Sequence, residues 1–230
     1  MTAAVIALLV VFATLTVLVQ TTGGTLNTVI SYAAVILACL SNLLFFENNP
    51  RFWLMQVALI CTVCADWFLL VQGSGYEIGM CFFNVTQLAY AARTYLDGTP
   101  TARRVQTVVR PLAWVLAVAS VFAILGERAD MLSLISVFYF VNLALNIIFA
   151  FINVKRGILF PVGLVFFILC DIFVGFSQMG GYLDIPEGSF AYWLAHPGFN
   201  AAWLFYVPSQ GLLGTSLLSV WISERTPENS

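Results

Sequence analysis

The sequence predicts an all-α protein, a polytopic bundle of eight membrane-spanning helices in one domain, and three observations support this fold class. The first is composition: of 230 residues, 61% are hydrophobic and 9% are charged, with a mean hydropathy of +0.95, whereas soluble domains are about 25% charged. The second is that apolar residues form long runs, and the third is that basic residues collect on alternate connections. A water-soluble enzyme and a disordered chain are thereby excluded, and a net charge of −2 excludes a nucleic-acid binder.

The apolar runs are long enough to span a bilayer as helices, which takes about 20 residues, against about 10 for a tilted barrel strand. The predicted spans cover residues 3–19, 26–46, 52–72, 77–95, 108–125, 131–153, 158–178 and 199–222. Glycine, proline and asparagine punctuate the connections. The first run lacks a basic leader and a small-residue cleavage pattern, so it is expected to be a retained span. Residues 1–223 therefore form a single transmembrane helical domain, and residues 224–230 a polar cytoplasmic tail.

The basic residues test the number of spans. With eight spans, eight of the nine Lys and Arg residues fall on one side of the membrane and Arg128 alone on the other, as the positive-inside rule expects. The eight are Arg51, Arg93, Arg103, Arg104, Arg110, Lys155, Arg156 and Arg225. Omitting the last span would move Arg225 and give seven to two, so eight spans are favoured over seven. Both termini are then cytoplasmic, and the chain is a multi-pass integral membrane protein, in the plasma membrane if it is bacterial.

The longest connection, residues 180–198, is expected on the outer face. It carries Asp184, Glu187 and the only histidine, His196. Its aromatic segment 190–194 is expected to lie in the membrane interface as a short helix or a lid.

Two of the eleven acidic residues lie inside predicted spans, Asp66 in the third and Asp171 in the seventh. A carboxylate in mid-membrane costs roughly 2.5–3.5 kcal/mol on insertion scales, so it is usually retained for a function. Both spans run outward from the cytoplasm, and each acid lies about 14 residues, or ~21 Å, along its helix. We expect the pair to share one site, with one carboxyl acting as acid and the other as base. The alternative is two separate structural aspartates, each hydrogen-bonded within the bundle.

Further polar side chains lie at comparable depth in other spans. Amides and hydroxyls at such positions either line a site or only hold helices together. They are Asn84 and Gln87 in the fourth span, Asn142 in the sixth, and Tyr206, Ser209 and Gln210 in the eighth. Gln87 and Gln210 are the strongest candidates for lining the site.

The remaining residue types narrow the chemistry. The only lysine, Lys155, lies at a helix end and offers no Schiff base inside the bundle, and one histidine cannot form a multi-histidine metal site. The five cysteines fall in apolar runs and are expected to be packing residues. No Ser-His-Asp or Cys-His set can be assembled. We therefore expect no metal and no cofactor, so any catalysis must come from the aspartates.

The segments around the two aspartates resemble each other. Asp66-Trp67-Phe68-Leu69 aligns with Asp171-Ile172-Phe173-Val174, and each segment is followed by a span that contains a glutamine. Spans one to four and five to eight would then form a 4+4 internal repeat of two parallel four-helix halves.

Four short motifs, in order over about residues 50–220, resemble those of the YhhN family of eight-span membrane proteins, which includes the lysoplasmalogenases. They are Cys64-Ala65-Asp66-Trp67-Phe68-Leu69-Leu70, the helix Gly79…Phe83…Gln87…Tyr90, the run from Gly163 to Cys170-Asp171, and Tyr206…Gln210. Three positions depart from the family pattern: Gln87 stands where the family commonly has histidine, Ala65 replaces glycine and Cys170 replaces serine. With the resemblance, the expected substrate-binding residues are Asn84, Gln87, Tyr90, Asn142, Tyr206 and Gln210.

The resemblance implies hydrolysis of the vinyl ether bond of lysoplasmalogen to a fatty aldehyde and a glycerophospho-alcohol. This chemistry needs a general acid and a carboxylate, which Asp66 and Asp171 would supply. The substrate would be a membrane lysophospholipid that enters sideways from the bilayer, and no nucleic-acid partner is expected. Two other classes stay open: a transporter or proton-coupled carrier that uses the same acids, and a non-catalytic membrane component.

Overall fold

The computed structural model describes residues 2–44, 47–153 and 157–225. All regular structure within these residues is helical, which confirms the all-α fold class. The α-helices are α1 (Thr2–Thr21), α2 (Gly24–Leu43), α3 (Pro50–Asp66), α4 (Tyr76–Asp97), α5 (Pro100–Leu125), α6 (Met131–Ile152), α7 (Leu159–Met179), α8 (Phe190–Ala195) and α9 (Ala201–Arg225). A π-helical turn, Trp67–Gln72, continues α3, and a 3₁₀ turn, Gly126–Arg128, follows α5.

Six helical segments within the described residues are long and apolar enough to cross a membrane. They are Ala3–Thr21, Gly24–Leu43, Pro50–Gln72, Pro100–Arg128, Met131–Ile152 and Leu159–Met179. These segments identify the chain as an integral membrane protein. Helices α4 and α9 are as long but fall outside this set, and both bury polar side chains such as Gln87 and Gln210. The total of eight spans therefore stays a prediction.

Helix α9 packs against α1, α2 and α7. Glycines let these helices approach closely. A Cβ atom on Gly214 would lie 2.6 Å from the carbonyl oxygen of Ala38 in α2, and one on Gly211 would lie 2.5 Å from the ring of Phe12 in α1. Small residues at such crossings are typical of membrane helices, because close van der Waals packing drives their association.

The other helices pack around this centre. Helix α3 packs along α4, α4 along α6, and α6 against both α5 and α7. The 4+4 internal repeat stays a prediction. In such a repeat, α1 to α4 would correspond to α5, α6, α7 and α9. The α2–α9 contact then corresponds to the α6–α4 contact, but the broad contact of α1 with α9 corresponds to only a narrow contact of α5 with α4.

Side-chain caps followed by proline start two of the helices. Asn49 accepts a hydrogen bond from the Phe52 amide (2.9 Å) before Pro50, and Thr99 accepts one from the Ala102 amide (3.2 Å) before Pro100. Both features favour helix initiation. Helix α5 begins at Pro100, before the predicted membrane span at 108–125. Its first turns are polar, so an apolar run could not reveal them.

Other predicted boundaries compare as follows. Helix α8 confirms the short helix expected at 190–194. Helix α9 continues to Arg225, beyond the predicted start of the tail. Residues 45–46 of the predicted second span, Lys155 and Arg156 of the basic set, and the tail residues 226–230 lie outside the described residues, as does the side chain of Arg225.

The bundle has two ends of different charge. The basic end is where α4 joins α5 and where α3 and α7 begin, and it carries Arg51, Arg103 and Arg104 against the acidic residues Glu47 and Asp97. The acidic end is where α3 joins α4 and α5 joins α6. It carries Glu77, Glu127, Asp130, Asp184 and Glu187, with Arg128 as the basic residue of the group.

Candidate active site

Asp66 is the last residue of α3, at the point where the α-helix gives way to the π-helical turn. Single π-helical turns occur frequently at functional sites. The Asp66 side chain is 2% exposed. Its Oδ2 atom accepts a hydrogen bond from the hydroxyl of Tyr206 in α9. One polar contact thus ties the end of α3 to α9 across the bundle.

Asp171 lies in α7 and is partly buried. Its Oδ2 atom accepts a hydrogen bond of 2.5 Å from the hydroxyl of Tyr139 in α6. Tyr139 is 5% exposed. The two acids therefore have the same kind of partner, a buried tyrosine on another helix.

An aromatic layer links the two Asp–Tyr pairs. The ring of Phe167 in α7 lies 5.6 Å from the ring of Tyr206 and 6.4 Å from that of Tyr139. Phe83 of α4 packs against Phe167 (5.8 Å) and Tyr139 (5.6 Å). Both Asp–Tyr pairs therefore contact one aromatic cluster inside the bundle.

The predicted glutamines lie in the buried interior, and both are fully buried. Gln87 in α4 accepts a hydrogen bond from Asn146 Nδ2 on its Oε1 atom (3.0 Å). Its Nε2 atom has no partner among the described residues, and the same holds for both amide atoms of Gln210 and the hydroxyl of Tyr90. These three predicted residues thus present free polar groups inside the protein.

Two other predicted residues are engaged elsewhere. Asn84 donates to the backbone carbonyls of Met80 (3.0 Å) and Ile135 (3.1 Å) and so ties α4 to α6. Asn142 accepts from Arg110 (3.4 Å) and from the indole of Trp114 (3.3 Å). Neither makes a hydrogen bond to an aspartate among the described residues.

Arg110 is a buried cation that sequence reasoning placed at a span end. It is 8% exposed and donates to Asn146 (2.8 Å), Gln106 (3.2 Å), Thr94 (3.3 Å) and Asn142 (3.4 Å). Among the described residues it forms no ion pair. Neutral amides and a hydroxyl hold its charge, and they join α4, α5 and α6.

Arg93 is the second buried arginine and lies nearer the basic end. It is 2% exposed and donates to Ser216 of α9 (2.9 Å), and its guanidinium lies 3.8 Å from the ring centre of Phe160. Asp97 lies 4.0 Å away and also pairs with Arg51 at 2.5 Å. A small cavity opens beside Arg93, lined by Thr94, Asp97, Ala150, Asn153, Gly157, Phe160 and Pro161.

Tyr139 and Asn146 contact Asp171 and Gln87, and neither was predicted as a site residue from the sequence. A tyrosine in an apolar run resembles an ordinary lipid-facing aromatic residue. The signal was the spacing, because Tyr139, Asn142 and Asn146 follow at i, i+3 and i+7 and so share one helix face. Among the described residues, no three His, Cys, Asp or Glu side chains gather to hold a metal ion.

The family follows from a comparison with protein-family models. The model of the YhhN family matches residues 38–217, a stretch that contains both aspartates, both of their tyrosine partners and both glutamines. The chain belongs to the YhhN family. No curated protein and no solved structure matches the chain. The YhhN match thus confirms the resemblance and leaves the individual roles of the site residues to be proposed.

Proposed function

We propose that this YhhN protein is an intramembrane hydrolase that cleaves the vinyl ether bond of lysoplasmalogen or a related lysolipid. The observation that carries the proposal is the pair of intramembrane aspartates, each bound by one buried tyrosine and both set around Phe167. Membership of the YhhN family supports a lysoplasmalogenase-like role. The reaction needs a general acid and a carboxylate, and two aspartates can supply both.

The chemistry requires one acid and one carboxylate. One aspartate transfers its proton to the β-carbon of the vinyl ether, and the remaining cation is an oxocarbenium ion next to the ether oxygen. The other carboxylate stabilises this cation and takes a proton from the attacking water. The resulting hemiacetal gives its hydroxyl proton to the first aspartate as its bond to the glycerol oxygen breaks, and the glycerol oxygen takes the proton that the second carboxylate had removed from water. The products are a fatty aldehyde and a glycerophospho-alcohol, and one water is consumed.

The fold suits a lipid substrate. Asp171 is partly buried, so a lipid that enters between helices can reach it, whereas Asp66 is closed off from the surroundings. Apolar helix faces would hold the alkenyl chain. In the proposed topology there are eight spans with the basic end toward the cytoplasm. Both termini then lie on that side, and the plasma membrane is the site of action in a bacterium.

The test is release of aldehyde from lysoplasmalogen by the purified protein in lipid nanodiscs. Asp66→Asn keeps the size of the side chain and its capacity to accept from Tyr206, so the fold should survive while the proton transfer fails. The matched control is Asp130→Asn, because Asp130 lies at the acidic end away from the site and Asn also caps helices. Release by the wild type and the control, but not by Asp66→Asn, supports the proposal. Unchanged release by Asp66→Asn refutes it.

A proton-coupled carrier is the second candidate. The observation that favours it is the series of buried polar groups along the bundle, from Asp66 through Gln87 and Gln210 to Arg93. A carrier would move protons across proteoliposome membranes when substrate is added. Proton flux without aldehyde release would favour this function over hydrolysis.

A further inference from the structure

Helices α4 and α9 carry matching stripes of side chains that contact α7. They run in the same direction, from the acidic end to the basic end. Near the acidic end, Phe83 of α4 and Tyr206 of α9 both pack on Phe167 of α7. Ten residues further along each helix, or ~15 Å, Arg93 donates a hydrogen bond to Ser216. The two helices are therefore in register between these levels.

Gln87 and Gln210 occupy the same level in this register. Gln87 is four residues after Phe83, and Gln210 is four residues after Tyr206. Residues at i and i+4 share a helix face, so both glutamines follow the stripes that flank Phe167. Tyr90 lies one turn nearer the basic end, and its ring packs on Phe160 of α7 at 5.4 Å. All three side chains are fully buried.

The polar atoms at this level lack partners among the described residues. They are Gln87 Nε2, both amide atoms of Gln210 and the hydroxyl of Tyr90. Buried polar groups in folded proteins nearly always have a hydrogen-bond partner. Four unpaired atoms on two helices that are in register thus point to a bound molecule at this level.

The hydrogen bonds of Asn146 determine which side-chain atom of Gln87 is left without a partner. Arg110 donates to Asn146 Oδ1 (2.8 Å), so Asn146 turns its Nδ2 donor to Gln87 Oε1 (3.0 Å). The Nε2 donor of Gln87 must therefore face an acceptor elsewhere. Gln210 Oε1, by contrast, needs a donor. A small molecule that both donates and accepts satisfies these groups together, and an anion, which only accepts, does not.

A small cavity lies at the basic end of this row. It has room for about one water molecule beside Arg93 and is lined by Asp97, Asn153 and Phe160. Phe160 also contacts Tyr90 and Arg93. The cavity, Tyr90 and the two glutamines thus follow one another toward Asp66.

We propose that Gln87, Gln210 and Tyr90 bind water inside the bundle, between the Asp66–Tyr206 pair and Arg93. The second part of the proposal rests on the proposed function: this site supplies the water that hydrolysis consumes. The lipid then reaches the aspartates from the side, and water reaches them from the basic end.

Radiolytic hydroxyl labelling of the wild-type protein tests the water site without any substrate. Hydroxyl radicals form from bound water and modify the side chains that touch it. Phe12 is the matched control, because this α1 aromatic is 1% exposed and Tyr90 is 0% exposed. The water site predicts Tyr90 labelling several-fold above that of Phe12, and a fall to the Phe12 level in Gln210→Leu. Equal labelling of the two residues in the wild type overturns the proposal.

Thermal unfolding of Gln210→Leu gives a second test through the sign of the shift in Tm. In a dry interior, leucine removes an unpaired amide and raises Tm, because replacing an unsatisfied polar group with an apolar one is favourable. In a water site, leucine takes partners from the bound water and lowers Tm. Asn146→Leu is the reference, since its amide is fully paired and its loss lowers Tm in either case. A higher Tm for Gln210→Leu overturns the proposal.

The two proposals fail in different ways. A wild type with labelled Tyr90 but no aldehyde release keeps the water site and rejects hydrolysis. A wild type that releases aldehyde while Gln210→Leu has a higher Tm and full turnover keeps hydrolysis and rejects the water site.

Discussion

The bundle buries charge in two different ways, at the aspartates and at Arg110. Arg110 donates to four neutral side chains from three helices. Asp66 accepts one hydrogen bond from a described side chain, and Asp171 also accepts one, although a carboxylate has about four acceptor sites. Arg110 thus makes its hydrogen bonds within the protein, whereas each carboxylate can still accept further hydrogen bonds. The difference indicates a structural role for Arg110 and supports the proposed role of the acids in catalysis.

The largest expected effect tests the chemical half of this comparison. Asp171→Asn should reduce aldehyde release by about 10²–10⁴-fold, the usual contribution of a general acid or base. Its Tm should change little, because asparagine still accepts from Tyr139. Turnover and thermal unfolding are measured on the same preparation. A large drop in Tm with turnover per folded molecule unchanged would assign Asp171 to structure and end the contrast with Arg110.

Arg110→Met tests the structural half. The substitution leaves the buried Asn146 Oδ1 without its donor, and it removes one of two donors from the amide oxygens of Asn142 and Gln106. We expect a loss of about 1.5–3 kcal/mol in the free energy of unfolding, the usual range for hydrogen bonds to charged groups. Turnover per folded molecule should fall far less than in Asp171→Asn. Wild-type stability together with lost turnover would contradict the assignment and make Arg110 part of the site.

Tyr206→Phe and Tyr139→Phe ask whether the two acids have equivalent partners. Each change removes one hydrogen bond and keeps the ring that packs on Phe167. We expect each to cost about 1 kcal/mol, or roughly fivefold in turnover. Both rates are measured with saturating lysolipid. If neither variant differs from wild type, the tyrosines do not orient the acids.

Asp130 is an acidic residue at the surface of the protein. Its substitution should have the smallest effect. The amide of Ser133 donates to it at 2.7 Å and lowers its pKa below the ordinary 3.8, with a smaller contribution from the hydroxyl of Tyr182. A lowered pKa stabilises the fold above the pKa of the unfolded chain, and this is lost as the pH falls through the folded value. Asp130→Ala should therefore lower Tm slightly at pH 7, by loss of a helix cap.

The pH dependence provides the check on Asp130. The difference in Tm between wild type and Asp130→Ala should shrink once the pH falls below about 4. A difference that stays constant from pH 7 to pH 3 would show that the carboxylate charge contributes nothing to the cap.

The sequence predicts what depends on charge and local signals. Asp66 and Asp171 stand out because a carboxylate in an apolar run is costly. Tyr139 and Arg110 could not be found in this way. The pairing of Tyr139 with Asp171 is a contact between different helices, and Arg110 lies where the polar first turns of α5 give way to its apolar run. Spacing places Tyr139 on one helix face with Asn142 and Asn146, but only packing shows that this face points inward.

The central claim is that Asp66 and Asp171 act as one hydrolytic site, and a double-mutant cycle on aldehyde release tests it most directly. Wild type, Asp66→Asn, Asp171→Asn and the double variant are compared in one lipid environment. Residues that act as a unit are strongly non-additive. We therefore expect the double variant to be no slower than the slower single variant, within a fewfold. Losses that multiply, or wild-type release from either single variant, would contradict the account.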